Sequence, residues 1–133
     1  MGYWNDRVVL VTGGTSGLGR ILAEAFAAAG ARLVVAGLEP EGVVETVEQM
    51  TAAGFDVFGV PVDITRQEDV DCLFDDTIRR FGRLDALVNN AGRSMRGKVM
   101  DTTPEQFQSL WDLNVLAMIR CTRAAMPHLL LQR

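Results

Sequence analysis

The chain has 133 residues, 48% of them hydrophobic, and a formal net charge of −4. That supplies apolar material for one packed domain, and the acidic balance argues against a nucleic-acid partner, which needs a basic patch. No apolar run reaches the length of a membrane span, and the polar start Met1-Gly2-Tyr3-Trp4-Asn5-Asp6 lacks the basic leader and apolar stretch of a signal peptide.

Residues 7–12 read as a buried strand through Val8-Val9-Leu10-Val11. The segment Thr12-Gly13-Gly14-Thr15-Ser16-Gly17-Leu18-Gly19 follows, and a helical pattern begins near Arg20. Strand, glycine turn and helix form the arrangement that seats a dinucleotide pyrophosphate on a helix N-terminus. Gly13 suits the positive φ of a tight turn, Gly17 leaves the backbone open to phosphate, and Gly19 lets the first helical turn lie against the strand. Leu18, Leu22, Ala25, Phe26 and Ala29 share one face of the helix, and Gly30 ends it.

A second strand is expected over 32–36 and a second helix over 40–53, with Val43, Val47 and Met50 inward and Gly54 closing it. Residues 56–61 form a third strand. Thr65 and Glu68 have capping-box spacing ahead of a third helix, along which Val70, Leu73, Phe74, Thr77, Ile78 and Phe81 fall at helical intervals. A short fourth strand over 85–89 leads to a loop, 91–102, carrying Arg93, Arg96 and Lys98. Thr103 with Gln106 makes a second capping box, with Pro104 at the first helical position. The last helix is expected from Pro104 almost to the end, kinked at Pro127.

This βαβαβαβα pattern predicts an α/β fold, a Rossmann-type doubly wound parallel sheet with strand order 3-2-1-4, ending after about four strands. Residues 1–133 read as a single dinucleotide-binding domain, without repeats or linkers. Ligands of such sheets bind beyond the carboxyl ends of the strands, at the switch point between strands 1 and 4. Cys72 and Cys121 lie in helical patterns without companions for a metal site, and read as buried thiols of a reducing, cytoplasmic setting. His128 has no Ser, Cys or Asp arranged beside it for catalysis.

Four signals coincide: the glycine turn, Asp63-Ile64 after strand 3, Asn89-Asn90-Ala91-Gly92 after strand 4, and Leu113-Asn114-Val115 in the last helix. Together they closely resemble the short-chain dehydrogenase/reductase family, NAD(P)-dependent oxidoreductases of Rossmann fold, over essentially the whole chain. The resemblance implies cofactor contacts from Gly13, Thr15, Ser16, Gly17, Leu18, Gly19, Gly37, Leu38, Asp63, Ile64, Asn90, Ala91 and Gly92. It implies that Asp63 accepts from the adenine amino group and that Asn89-Asn90-Ala91-Gly92 braces the central strands while lining the cofactor site. Asn114 sits on a stripe with Phe107, Leu110, Trp111 and Met118, an amide on an apolar face that must find partners if buried. In the family the matching Asn is catalytic, holding a water in a proton relay.

The end of strand 2 reads Ala36-Gly37-Leu38-Glu39. Gly37 takes the position of the family's usual acid and Leu38 that of its usual arginine, so the chain departs from both patterns. Glu39 would repel a 2′-phosphate, which favours NAD(H) over NADP(H); Arg20 is the residue that could still serve NADP. The family's chemistry also needs a Tyr and a Lys four residues apart, preceded by a Ser. Tyr3 and Lys98 are the sole tyrosine and lysine and cannot form that pair, while Ser94 and Ser109 precede the expected serine.

The expectation is therefore the N-terminal half of a longer enzyme acting on a small alcohol or ketone, inactive on its own. It is expected to form a homo-oligomer through residues 104–131, where Leu129, Leu130 and Leu131 add to an apolar excess, and strand 4 is left as a sheet edge. The alternative is a catalytically silent nucleotide-binding module acting in regulation or oligomerisation. Another Rossmann enzyme, such as a methyltransferase, would leave the co-occurrence of Asn89-Asn90-Ala91-Gly92 and Asn114 unexplained.

Overall fold

The computed structural model of the chain describes residues 2–132. Its elements alternate as strand β1 (Val8–Thr12), helix α1 (Gly17–Ala28), β2 (Arg32–Gly37), α2 (Pro40–Ala52), β3 (Val57–Pro61), α3 (Gln67–Phe81) and β4 (Ala86–Val88). A 3-10 turn at Val99–Asp101, helix α4 (Pro104–Trp111), a π-helical turn at Asp112–Leu116 and helix α5 (Ala117–Leu130) complete it. The strands form one parallel sheet in the expected order β3-β2-β1-β4.

Successive β1 side chains point to opposite faces of the sheet. Val8 and Leu10 join a core with Val70, Leu73 and Phe74 of α3 and Ala117, Cys121 and Ala125 of α5. Val9 and Val11 join a second core with Ala23 and Ala27 of α1 and Met50 of α2. Both faces are covered, which is why the central strands are uninterrupted apolar runs rather than alternating ones. The predicted stripe of α3 is buried at Val70, Leu73, Phe74, Thr77 and Phe81.

Three local expectations are corrected. In α1 the buried residues are Gly19, Ala23 and Ala27, not the larger stripe, and Leu18 is 65% exposed. Small residues face the sheet because α1 lies too close to it for anything larger. The Thr65–Glu68 capping box does not form; Arg66 is the N-cap of α3, and the Thr65 hydroxyl donates instead to Asp63 Oδ1 at 2.6 Å. Cys72 is exposed, while Cys121 is buried as expected, and both are free thiols. The last helix runs as expected from Pro104 to Leu130, with the π turn joining α4 to α5 and Pro127 inside α5. The second capping box does form, Thr103 Oγ1 accepting from the Gln106 amide and Gln106 Oε1 from the Thr103 amide.

β4 is anchored at its start by Asp85, whose side chain is 1% exposed. One carboxylate oxygen accepts from the Val8 amide at 2.8 Å, and both accept from the Arg83 guanidinium. Among the described residues β4 pairs with β1 alone, so its outer side is an edge of the sheet.

Candidate functional site

A cleft of about 510 Å³ opens at the carboxyl ends of the strands, where the sheet order reverses between β1 and β4. Gly13, Thr15, Ser16 and Leu18 form its floor after β1. Gly13 has φ +65°, a conformation that glycine adopts without strain. Ser16 is the N-cap of α1 yet makes no side-chain cap. The first amides of a helix have no partner within it, so the first turn of α1 is left to receive an external acceptor. A methyl group built on Gly17 meets nothing within 4 Å, whereas one on Gly19 falls 2.0 Å from the Gly13 carbonyl oxygen. Gly17 and Gly19 therefore do not line the cleft: Gly17 leaves open space beside it, and Gly19 permits the close seating of α1.

The β2 end contributes Ala36, Gly37, Leu38 and Glu39. Glu39 is the N-cap of α2 but makes no capping hydrogen bond, so its carboxylate stands exposed at the cleft. Arg20 is not in the cleft. Its guanidinium is spent on Glu24, Thr46 and Gln49, at 2.7, 3.2 and 3.1 Å.

The β3 end contributes Val62, Asp63 and Ile64. Asp63 Oδ1 accepts from both the Thr65 amide and the Thr65 hydroxyl, a turn in which the side chain stands in for backbone. The Thr65 hydroxyl holds the Asp63 carboxyl below its ordinary value, against a smaller opposing effect of burial. Both of those bonds fall on Oδ1, leaving Oδ2 for a ligand.

After β4 the backbone is locked to β1. Asn90 Nδ2 donates to the carbonyls of Thr12 and Gly13, each at 3.1 Å, and the amides of Asn90 and Ala91 donate to Thr12 Oγ1. Asn90, Ala91 and Gly92 thus reach the cleft on a braced support. Asn89 does not; its amide bonds Thr122 Oγ1 and ties β4 to α5. Thr12, almost fully buried, is the centre of this brace, a role the sequence reading does not assign. The available signal was a hydroxyl closing an otherwise apolar strand.

Asn114 lies in the π turn, a helix irregularity frequent at functional sites. It is exposed rather than buried, and its stripe companions Phe107, Trp111 and Met118 are exposed as well. The expected apolar burial is absent because no described residue covers that face. The amide nevertheless finds two partners: Oδ1 accepts from the Arg93 amide and Nδ2 donates to the Arg93 carbonyl, both at 2.9 Å. Gly92 allows this approach, since a methyl group there would lie 2.8 Å from Asn114 Oδ1. Asn114 does not line the cleft; its neighbours Arg93 and Leu113 do. Among the described residues no cluster of His, Cys, Asp and Glu is arranged to hold a metal, and no helix is long and apolar enough to cross a membrane.

Known proteins resemble this chain in sequence and in fold. The chain is 38% identical over 124 residues to an L-fucose dehydrogenase of Oryctolagus cuniculus, covering 92% of this chain and 42% of that protein. It is 36% identical over 123 residues to the uncharacterized oxidoreductase YxnA of Bacillus subtilis, covering 92% of this chain and 35% of the relative. The chain thus spans less than half the length of these two curated relatives. The crystal structure of a short chain dehydrogenase/reductase from Burkholderia phymatum in complex with NAD superposes with a TM-score of 0.93 at 31% identity, covering 99% of this chain and 47% of that one. The sequence model of the short chain dehydrogenase family matches residues 7–133, and the chain belongs to that family.

Proposed function

We propose that this chain is the dinucleotide-binding domain of an NAD(H)-dependent oxidoreductase acting on a small alcohol or ketone. The observation that carries the reading is the uncapped first turn of α1, facing a cleft at the switch point of a parallel sheet. The amides after Ser16 bind the pyrophosphate. Gly37 and Leu38 flank the adenosine ribose, Asp63 Oδ2 accepts from the adenine amine, and Ile64 packs on the base. Asn90, Ala91 and Gly92 form the floor toward the reactive ring. Hydride exchange is the chemistry that a nicotinamide supplies to such a site.

NAD(H) is favoured over NADP(H) on two observations. Glu39 places an unpaired carboxylate at the β2 end, and Arg20 is committed to Glu24 of α1 and to Thr46 and Gln49 of α2. Asn114 fixes the backbone of Arg93 at the edge of the cleft, and serves the reaction as a holder of that loop and of a water in the proton relay. The chain has no Tyr and Lys four residues apart, so the 133 residues alone bind cofactor without turning over substrate. The exposed Phe107, Trp111, Met118, Met126 and Leu130 along α4 and α5 support a homo-oligomer through this face.

Titration of the purified chain with NADH and NADPH, followed by nicotinamide fluorescence, tests the reading. Saturable NADH binding, with NADPH about tenfold weaker or worse, is expected from one unfavourable carboxylate–phosphate contact. Absence of binding to either dinucleotide would remove the proposal, and tighter NADPH binding would reverse the preference.

A further inference from the structure

We propose that the cavity beside Arg93 takes a substrate carboxylate, so that the alcohol or ketone handled here is a small hydroxy or keto acid. This deepens the oxidoreductase reading and rests on it. Arg93 lines both the dinucleotide cleft and a second cavity of about 350 Å³. Its main chain is held at both N–H and C=O by the Asn114 amide, so the side chain starts from a fixed point. Its guanidinium bonds a neutral partner, the Ser109 hydroxyl.

This loop concentrates cations. In a chain of net charge −4, residues 86–100 carry Arg93, Arg96 and Lys98 and no acidic residue. Among the described residues Arg93, Arg96 and Lys98 form no ion pair, as is also true of Arg7, Arg32, Arg66, Arg120 and Arg123, which lie outside the loop. A guanidinium offers parallel N–H donors that match a carboxylate.

The remaining walls narrow the ligand class. Glu105 lines the same cavity without pairing with Arg93. Its carboxylate can accept a hydrogen bond from a ligand hydroxyl. Met95 and Leu110 give apolar contact to a short carbon chain, and Ser94 adds a hydroxyl. A compact hydroxy acid satisfies all of these groups. With its carboxylate on Arg93, its other end lies at the dinucleotide cleft, which Arg93 also borders.

The test is an amide NMR titration of the ¹⁵N-labelled 133-residue chain with 3-hydroxybutyrate and with neutral 1,3-butanediol. Hydroxybutyrate is expected to shift the amides of residues 93–98 and 105–110, binding about tenfold tighter than the diol and weakening at high salt. Arg93→Gln should abolish that preference, while Arg93→Lys keeps part of it; matched spectra elsewhere establish that both variants fold. Equal affinity for acid and diol, shifts confined to other residues, or full retention in Arg93→Gln would overturn the proposal. NAD⁺ is titrated separately and read at residues 13–19. If Arg93→Gln weakens NAD⁺ as much as hydroxybutyrate, Arg93 is a cofactor ligand and the acid-binding assignment fails. If NAD⁺ shifts nothing, it is the oxidoreductase reading that fails.

Discussion

Replacing Gly19 and Gly17 separately by alanine should split stability from binding. At Gly19 the added methyl falls 2.0 Å from the Gly13 carbonyl oxygen and 2.3 Å from Asn90 Nδ2. Relief requires the first turn of α1 to move away from the glycine turn by about 1 Å, an overpacking that costs about 1–3 kcal/mol. The same movement disturbs the two Asn90 bonds to Thr12 and Gly13, worth about 0.5–1.5 kcal/mol each. Against this stands a gain of about 1 kcal/mol in helix propensity. The net expectation for Gly19→Ala is a loss of about 2–4 kcal/mol. At Gly17 the methyl meets nothing within 4 Å, but the residue has φ +54°; the left-handed conformation costs a side chain about 1–2 kcal/mol. That methyl also fills open space beside the turn proposed to receive the pyrophosphate. Urea unfolding followed by circular dichroism measures the first effect and NADH titration the second. Gly19→Ala should lose more stability, while Gly17→Ala should lose NADH affinity despite a largely intact fold. A Gly19→Ala protein within 0.5 kcal/mol of the parent (about the scatter of a neutral surface change), or a Gly17→Ala protein with unchanged NADH affinity, would refute the reasoning.

Other perturbations probe separate parts of the molecule. Burial alone would raise the Asp85 carboxyl, but the Arg83 hydrogen bonds, the Val8 amide and the charges of Arg83 and Arg7 together hold it below the ordinary 3.8. A depressed carboxyl stabilises the fold fully above its unfolded value, and that contribution disappears as pH falls through the folded value. The stability gap between the parent and Asp85→Asn should thus be present at pH 7 and shrink in acid below about pH 4; a gap unchanged into acid would contradict the assignment. Asn90→Ala removes the donors to Thr12 and Gly13 and should cost about 1–3 kcal/mol, with weaker NADH binding in the same sample. Glu39→Gln should improve NADPH binding relative to NADH by about fivefold at low salt and less at high salt; no change in the ratio would show that Glu39 does not face the ribose. Burial raises Cys121 to about 11, so a thiol reagent at pH 7 should label Cys72 in the folded chain and reach Cys121 only on unfolding.

The sheet was legible because its determinants are local and repeated. Val8-Val9-Leu10-Val11 is apolar on both faces, and helical patterns separate each such run from the next, which leaves few parallel topologies. The glycine turn was readable at Gly13, whose φ is +65°, and at Gly19, where a methyl would meet the Gly13 carbonyl oxygen. What escaped the sequence depends on approach distances between elements. The face of α1 went wrong because Leu18 and Ala25 suit a core by hydropathy, while the gap to the sheet admits Gly19, Ala23 and Ala27. The Thr65–Glu68 box failed because Asp63 lies close enough to take the Thr65 hydroxyl first. The spacing puts Asn114 on an apolar stripe, whereas its partner in the fold is the Arg93 main chain, which no side-chain pattern encodes. Thr12 was hidden by the same limitation, its importance resting on two amides nearly eighty residues away in sequence.

The central claim is that the uncapped turn of α1 binds a nicotinamide dinucleotide. A crystal structure of the 133-residue chain grown with NAD⁺ tests it most directly. The account predicts the pyrophosphate against the amides after Ser16, the adenine near Asp63 and the nicotinamide end toward Asn90 and Gly92. A dinucleotide bound elsewhere, or a cleft without NAD⁺ at saturating concentration, would contradict it.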